Sequence, residues 1–244
     1  MAREGNPAQP CRPAAKRGVF WTCLAAGFLA ILLSLAASLA WNATRADLFT
    51  AGLNATVVAQ GRVSQSDADG FVQTTLAYLT GAAQAWEPTV TLGDHSLAVP
   101  EAFQTHMATV RGWVLSAGML LSVGAALMTL LLLAGLWLPA RGARHGWFSA
   151  AGFYGGAGLA LALLVAVGVW GVADFNGLWA WIHATLIPDG VFPAGEEIMI
   201  LFPVRLFAGY LLPVALGLGL GTALVLLVPP LIKRGQTRRT RTAS

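Results

Sequence analysis

Four histidines are the scarce acid–base groups of this 244-residue chain: His95, His106, His145 and His183. Imidazole titrates near neutral pH, so a neutral ring can take a proton and an imidazolium can return it. His106 stands just before Arg111, where a long uncharged run opens, and His183 follows Asp174, where another closes. Two histidines that border helices on one side of a membrane can meet although they are far apart in sequence. His183 is the candidate general base and His106 its catalytic companion. His95, in "GDHS", reads as an exposed turn residue. His145, beside Arg144, reads as polar cover in a short loop.

The carboxylates nearest to this pair lie in "WIHATLIPDGVFPAGEEIMILFP", residues 181–203. "PAGEE" has the form of a helix start, with Pro193 early and Glu196 and Glu197 in the first turn, where negative charge suits the helix dipole. Adjacent helical residues point about 100° apart, so one of the two glutamates should face inward. An inward carboxylate could hold the tautomer of His183 and stabilise its imidazolium, and Glu197 is the candidate for that role. Asp189, in "IPDG", reads as a turn residue. A metal set of His106, His183, Glu196 and Glu197 would match no established spacing, so neither a metal nor a cofactor is expected. There is no nucleophile elbow, no phosphate-binding Walker loop and no dinucleotide fingerprint. The remaining chemistry is acid–base catalysis at a membrane surface, on a lipid or a lipid-anchored group.

The elements that must position these residues follow from composition. The chain is 56% hydrophobic and 11% charged, against about 25% charged in a typical soluble domain. Four stretches contain no charge, bounded by Arg17 and Arg45, Arg111 and Arg141, Arg144 and Asp174, and Arg205 and Lys233. Each exceeds the roughly 20 residues a helix needs to cross a bilayer. Buried helices of a soluble protein are the rival reading, but nothing polar is available to cover them. The expected fold is an all-α membrane protein with four transmembrane helices and a small mixed extracytoplasmic subdomain. The expected layout is an N-terminal tail (1–17), a first span (18–41), an extracytoplasmic subdomain (42–110), a second span (111–139), a loop (140–146) and a third span (147–173). An extracytoplasmic segment carrying the site (174–204), a fourth span (205–232) and a basic tail (233–244) complete it. The first run, preceded by Lys16 and Arg17, is long for a secretory signal core and reads as an uncleaved helix.

Positive charge sets orientation. Arg3, Arg12, Lys16 and Arg17, then Arg141 and Arg144, then Lys233, Arg234, Arg238, Arg239 and Arg241 all fall on one side of a four-span chain. Both termini are therefore expected in the cytoplasm of a plasma membrane, with the site outside. The basic tail reads as a membrane-surface anchor on anionic lipid, and no nucleic acid is needed to explain the +4 net charge. Cys11 and Cys23 cannot approach each other, so no disulfide is expected. Within the outer segment, "SQSDADGFVQTTLAYLTG" reads as a helix opened by Ser/Asp and closed by Gly81, with Tyr78 as a core aromatic. "WEPTVTLGDHSL" reads as a short hairpin with a Gly-Asp turn. Gly155, Gly156 and Gly158, and Gly217 with Gly221, suit close helix packing. Pro213 should kink the fourth span near its outer end.

Three stretches framed by these spans carry a family likeness. "YLTG" (78–81), "HMATVRGW" (106–113) and "IHATLIPDGVFPAGEEIMILFP" (182–203) resemble the lipoprotein intramolecular transacylase family, Lit. The resemblance follows the layout of nearly the whole chain and is most specific in the last two motifs. The family pattern has His-Met-x-Asp-Val-Lys/Arg before the second helix. After the third it has Phe-His, then a proline, an acid and Leu-Phe-Pro. Its two histidines map onto His106 and His183, and its basic residue onto Arg111. Thr109 stands where the pattern has Asp, and Ile182 where it has Phe. The resemblance implies a bacterial membrane enzyme whose substrate is the lipid-modified N-terminus of a lipoprotein. The sn-2 acyl chain of a diacylglyceryl-cysteine moves to that cysteine's own α-amino group, without a cofactor or external donor, leaving a lyso-form lipoprotein. Protonated His106, Arg111, or backbone N–H groups near "PDG" and "PAG" are the candidate oxyanion donors. The alternative is a non-catalytic four-helix membrane protein that binds or senses lipid or an envelope partner. Spans free of charge argue against a transporter.

Overall fold

A computed structural model describes residues 13–137, 148–186, 190, 192 and 195–234. Helix α1 (Pro13–Ala43) leads into α2 (Ala46–Leu53), which continues through a π turn over Asn54–Val58. Helix α3 (Gln65–Leu79) is opened by Ser64, whose hydroxyl accepts from the Asp67 N–H at 3.1 Å. This side-chain cap supplies a partner for an N–H that has none within the helix. Gly81, at φ +84°, follows the end of α3 in the left-handed conformation that glycine adopts without a Cβ penalty. Strands β1 (Thr91–Leu92) and β2 (His95–Ser96) form an antiparallel hairpin pairing Thr91 with Ser96 and Leu92 with His95. Its turn uses Gly93 at φ +63°. Helix α4 (Glu101–Trp137) follows, then α5 (Ala150–Ala173) and α6 (Phe175–Leu186). A 3₁₀ turn over Glu197–Ile200 precedes α7 (Val204–Ala208) and α8 (Leu211–Leu226). The turn assigned to Asp189, the early Pro193 and the loop holding His145 lie outside the described residues.

Among the described residues, four helical segments are long and apolar enough to cross a membrane: Arg17–Ala43, Glu101–Leu127, Ala150–Ala173 and Leu211–Arg234. The first is the hub, packing against both α5 and α8. Glycine makes that packing possible. A Cβ at Gly156 would run into the Leu24 carbonyl, one at Gly152 into the Phe20 carbonyl, and one at Gly27 into the Phe153 carbonyl. Gly221 meets Ser34 in the same way, 2.7 Å from its Cβ, where α8 crosses α1. Backbones approach this closely only over small residues. Gly155 and Gly158 have nothing within 4 Å and take no part, which corrects the sequence expectation for those two. Pro213 also differs from expectation. It falls in the first turn of α8, where its missing N–H would have had no helical partner, so it starts a helix and kinks none.

Outside these packed seams sits an aromatic core. Phe202 contacts Phe71 and Phe103 at centroid distances of 5.5 and 5.3 Å, and Trp86 stacks on Phe103 at 5.7 Å. The Trp86 indole N–H donates to the buried Thr75 hydroxyl at 3.1 Å. Leu53, Val57, Val72, Tyr78, Val90 and Leu201 belong to the same cluster. It therefore joins α2, α3, the hairpin, the first turns of α4 and the segment before α7. Full burial of each such side chain stabilises by roughly 1.5–3 kcal/mol.

The helix carrying the second span begins at Glu101, ahead of His106, so the histidine lies within a helix and not before one. Glu101 in the first turn suits the helix dipole. Phe103, His106, Met107 and Val110 then recur at helical spacing. Phe103, His106 and Met107 are buried, so this face of α4 packs into the aromatic core before the helix continues as a span.

Candidate active site

His106 and His183 meet. Their ring centroids are 6.1 Å apart with planes 29° from parallel. His106 comes from the buried face of α4, and His183 from the last turn of α6. Helix α6 starts immediately after α5 because Asp174 separates them. Its Oδ1 accepts from the Gly177 N–H at 2.9 Å and caps the new helix. A helix of twelve residues then carries His183 back to His106.

The two rings are held differently. The His183 Nδ1 lies 3.0 Å from the Trp179 carbonyl oxygen, one turn back on the same helix. A carbonyl only accepts, so Nδ1 carries the hydrogen and donates it. In the neutral ring this leaves Nε2 with the free lone pair, the form a general base requires. The Trp179 indole also packs on the imidazole at 4.4 Å and on Phe207 at 4.3 Å, tying His183 to α7. His106 is 8% exposed, between Phe103 at 5.6 Å and Phe192 at 5.3 Å. Its Nδ1 is buried and has no hydrogen-bond partner among the described residues. Gly190 closes over both rings. A Cβ there would lie 2.6 Å from His106 Cε1 and 3.0 Å from His183 Cδ2.

The other predicted site residues are placed elsewhere. Glu197 does not reach His183; its Oε1 sits 3.1 Å from His95 Nε2. The residue expected to orient the base thus binds a different histidine, and the Trp179 carbonyl occupies the orienting position at Nδ1. Glu196 is the residue before the 3₁₀ turn, not part of a helical first turn, and its Oε2 is buried without a partner among the described residues. Arg111 turns toward the aromatic core, with its guanidinium 4.7 Å above the Tyr78 ring and Nη1 donating to the Gln84 carbonyl at 3.2 Å. Thr109 bonds back to the Thr105 carbonyl at 3.3 Å. No three His, Cys, Asp or Glu side chains are grouped to hold a metal ion among the described residues.

Sequence reasoning missed Trp179, Gly190, Phe103 and Phe192 as site residues. Two had a readable signal, because Trp179 precedes His183 by one helical turn and Phe103 precedes His106 by another.

A groove of about 590 Å³ runs between α1 and α8, lined by Trp41, Leu212, Leu216 and Leu220 over a floor of Ser38 and Asn42. The Ser38 hydroxyl donates to the Val214 carbonyl at 2.9 Å, and the Asn42 amide to the Ser38 carbonyl at 2.8 Å. Arg45, ion-paired with Asp47, stands at its polar end. Tyr210, just before α8, has its phenol pushed up to about 12, first by burial and then by the Asp47 charge.

No protein-family model and no curated protein sequence matches this chain. The fold does have a solved counterpart. The in meso structure of the membrane integral lipoprotein intramolecular transacylase Lit from Bacillus cereus superposes with a TM-score of 0.65 at 12% identity, covering 93% of this chain and 100% of that one. At that identity the likeness establishes a shared fold, that of a multi-pass membrane protein built on four apolar helices.

Proposed function

We propose that this chain is a membrane acyltransferase. It moves the sn-2 acyl chain of a diacylglyceryl-cysteine lipoprotein to the cysteine's own α-amino group. The observation that carries the reading is the convergence of His106 and His183 from two separate helices. The fold shared with a lipoprotein intramolecular transacylase supports it, as does the motif resemblance around both histidines.

The chemistry needs little more than these residues. An α-ammonium has an ordinary pKa near 8 and must lose a proton before it attacks an ester. His183, with Nδ1–H committed to Trp179, takes that proton on Nε2. The freed amine adds to the sn-2 carbonyl, and His106, whose Nδ1 has no partner among the described residues, donates to the oxyanion. Collapse breaks the ester C–O bond, and the His183 imidazolium returns its proton to the departing glycerol oxygen. The nitrogen of the collapsing adduct gives up its remaining extra proton, through the freed His183, to water; the products are an amide, a free hydroxyl and one proton released from the starting ammonium, so atoms and charge balance. Donor and acceptor belong to one molecule, so holding them in contact supplies much of the rate. Arg111, resting on Tyr78, has a structural role in this reading. The groove between α1 and α8 suits an acyl chain.

The enzyme would sit in the bacterial plasma membrane with both termini in the cytoplasm and the site on the outer face. The clustering of Arg and Lys in the tails and the 140–146 loop supports that orientation. The reading is tested by reconstituting the purified chain with a synthetic diacylglyceryl-cysteine lipopeptide. Formation of an N-acylated, S-monoacylated product is expected, and an unchanged free amine would contradict it.

A further inference from the structure

Both ring nitrogens of His95 face carboxylates. Nε2 lies 3.1 Å from Glu197 Oε1, and Nδ1 lies 3.4 Å from Asp94 Oδ1. Carboxylates ionised at neutral pH only accept, and a neutral imidazole has one N–H to offer. The bridge is complete only when the ring is doubly protonated. His95 belongs to β2 and Asp94 to the hairpin turn, whereas Glu197 opens the 3₁₀ turn a few residues after Gly190 and Phe192. Both of those residues lie against His106. We propose that His95 is a positioning residue of the site: as an imidazolium it ties the hairpin to Glu197 and so holds the stretch of chain that carries Gly190 and Phe192 to His106.

The charged groups facing His95 are Asp94 on its own hairpin and Glu197 on the opposing segment. Both act in one direction: Asp94 most strongly, then Glu197, they hold the imidazole above its ordinary value near 6.5. A group raised in the folded state adds stability that is fully present below its unfolded value and lost as pH rises through the folded one. The anchor is therefore set below about pH 6.5 and released on the alkaline side. Its bearing on catalysis rests on the acyl-transfer reading; the anchor itself does not.

The test is amide hydrogen exchange of the full chain in lipid nanodiscs at pH 5.5 and 8.5, following residues 196–202, with each rate divided by its chemical exchange rate at that pH. Wild type is expected to show at least threefold greater protection at the lower pH. His95→Lys, a cation that does not titrate in this range, should be protected at both values, and His95→Gln at neither. In an active preparation, wild-type acyl transfer should carry an extra alkaline decline that His95→Lys removes. Equal wild-type protection at the two pH values would overturn the proposal, as would a pH difference that persists in His95→Gln. If protection follows the expectation while no variant and no wild type transfers an acyl group, the anchor stands and the acyl-transfer reading fails.

Discussion

The imidazoles of His106 and His183 lie 6.1 Å apart, one on the buried face of a helix that becomes a membrane span, the other at the end of a short helix that follows a span. Neither ring could be moved without disturbing an aromatic neighbour, Phe103 and Phe192 for the first and Trp179 for the second. If the two act as one unit, their loss should not add. His183→Ala and His106→Ala should each lower the transfer rate by about 10²–10⁴. The double variant should fall little below the worse single one. Single-turnover rates on a lipopeptide in nanodiscs measure this, and a multiplicative double variant would separate the roles.

Gly190 tests the same pair without touching either ring. Its Cβ would come within 3.0 Å of His183 and closer still to His106. Gly190→Ala should cost on the order of 100-fold in rate, the scale of a 1 Å misplacement. The melting temperature in detergent, measured beside the rate, separates displacement of the rings from loss of the fold. An unaffected rate would show that the rings tolerate displacement.

The hub at α1 can be probed with its own internal control. Gly156→Ala meets the Leu24 carbonyl, whereas Gly155→Ala and Gly158→Ala meet open space. The first should destabilise the fold by about 1–3 kcal/mol, the cost of overpacking. The other two should be neutral or slightly stabilising, since alanine is the better helix former. Thermal unfolding in one detergent ranks all three.

Trp86→Phe removes the indole donor and leaves the buried Thr75 hydroxyl without its recorded partner. A loss of about 1–3 kcal/mol is expected. Pairing it with Thr75→Val should recover part of that loss, since both polar groups are then gone. Denaturant titration of the two single variants and the pair checks the coupling.

Much of the architecture was legible because its signals are local. The four uncharged runs announce the spans, Ser64 announces the start of α3, and the Gly-Asp turn announces the hairpin. The two histidines were legible as a pair because each borders a span on the same side. What stayed hidden depends on contacts between distant segments. Nothing near Glu197 indicates that a hairpin histidine will take it. Helix α6 was hidden because its twelve residues fall in the extracytoplasmic segment 174–204, which reads as a connection between spans, and its Asp174 cap is visible only once α5 has ended. The start of α4 at Glu101 was readable from Phe103, Met107 and Val110, but the charge at Arg111 drew the boundary further along. Pro213 misled because proline breaks a helix only when the helix has already begun.

The central claim is that this pair of histidines moves an acyl chain within one lipoprotein. The most direct measurement expresses the chain in a bacterium whose lipoproteins otherwise keep a free α-amine, and fragments the N-terminal peptide of one lipoprotein by tandem mass spectrometry. Intramolecular transfer conserves mass, so only fragmentation locates the acyl group. The account predicts an acyl group on the cysteine amine with wild type and a free amine with His183→Ala at equal membrane abundance. A diacylglyceryl-cysteine with a free amine in both cells would contradict it.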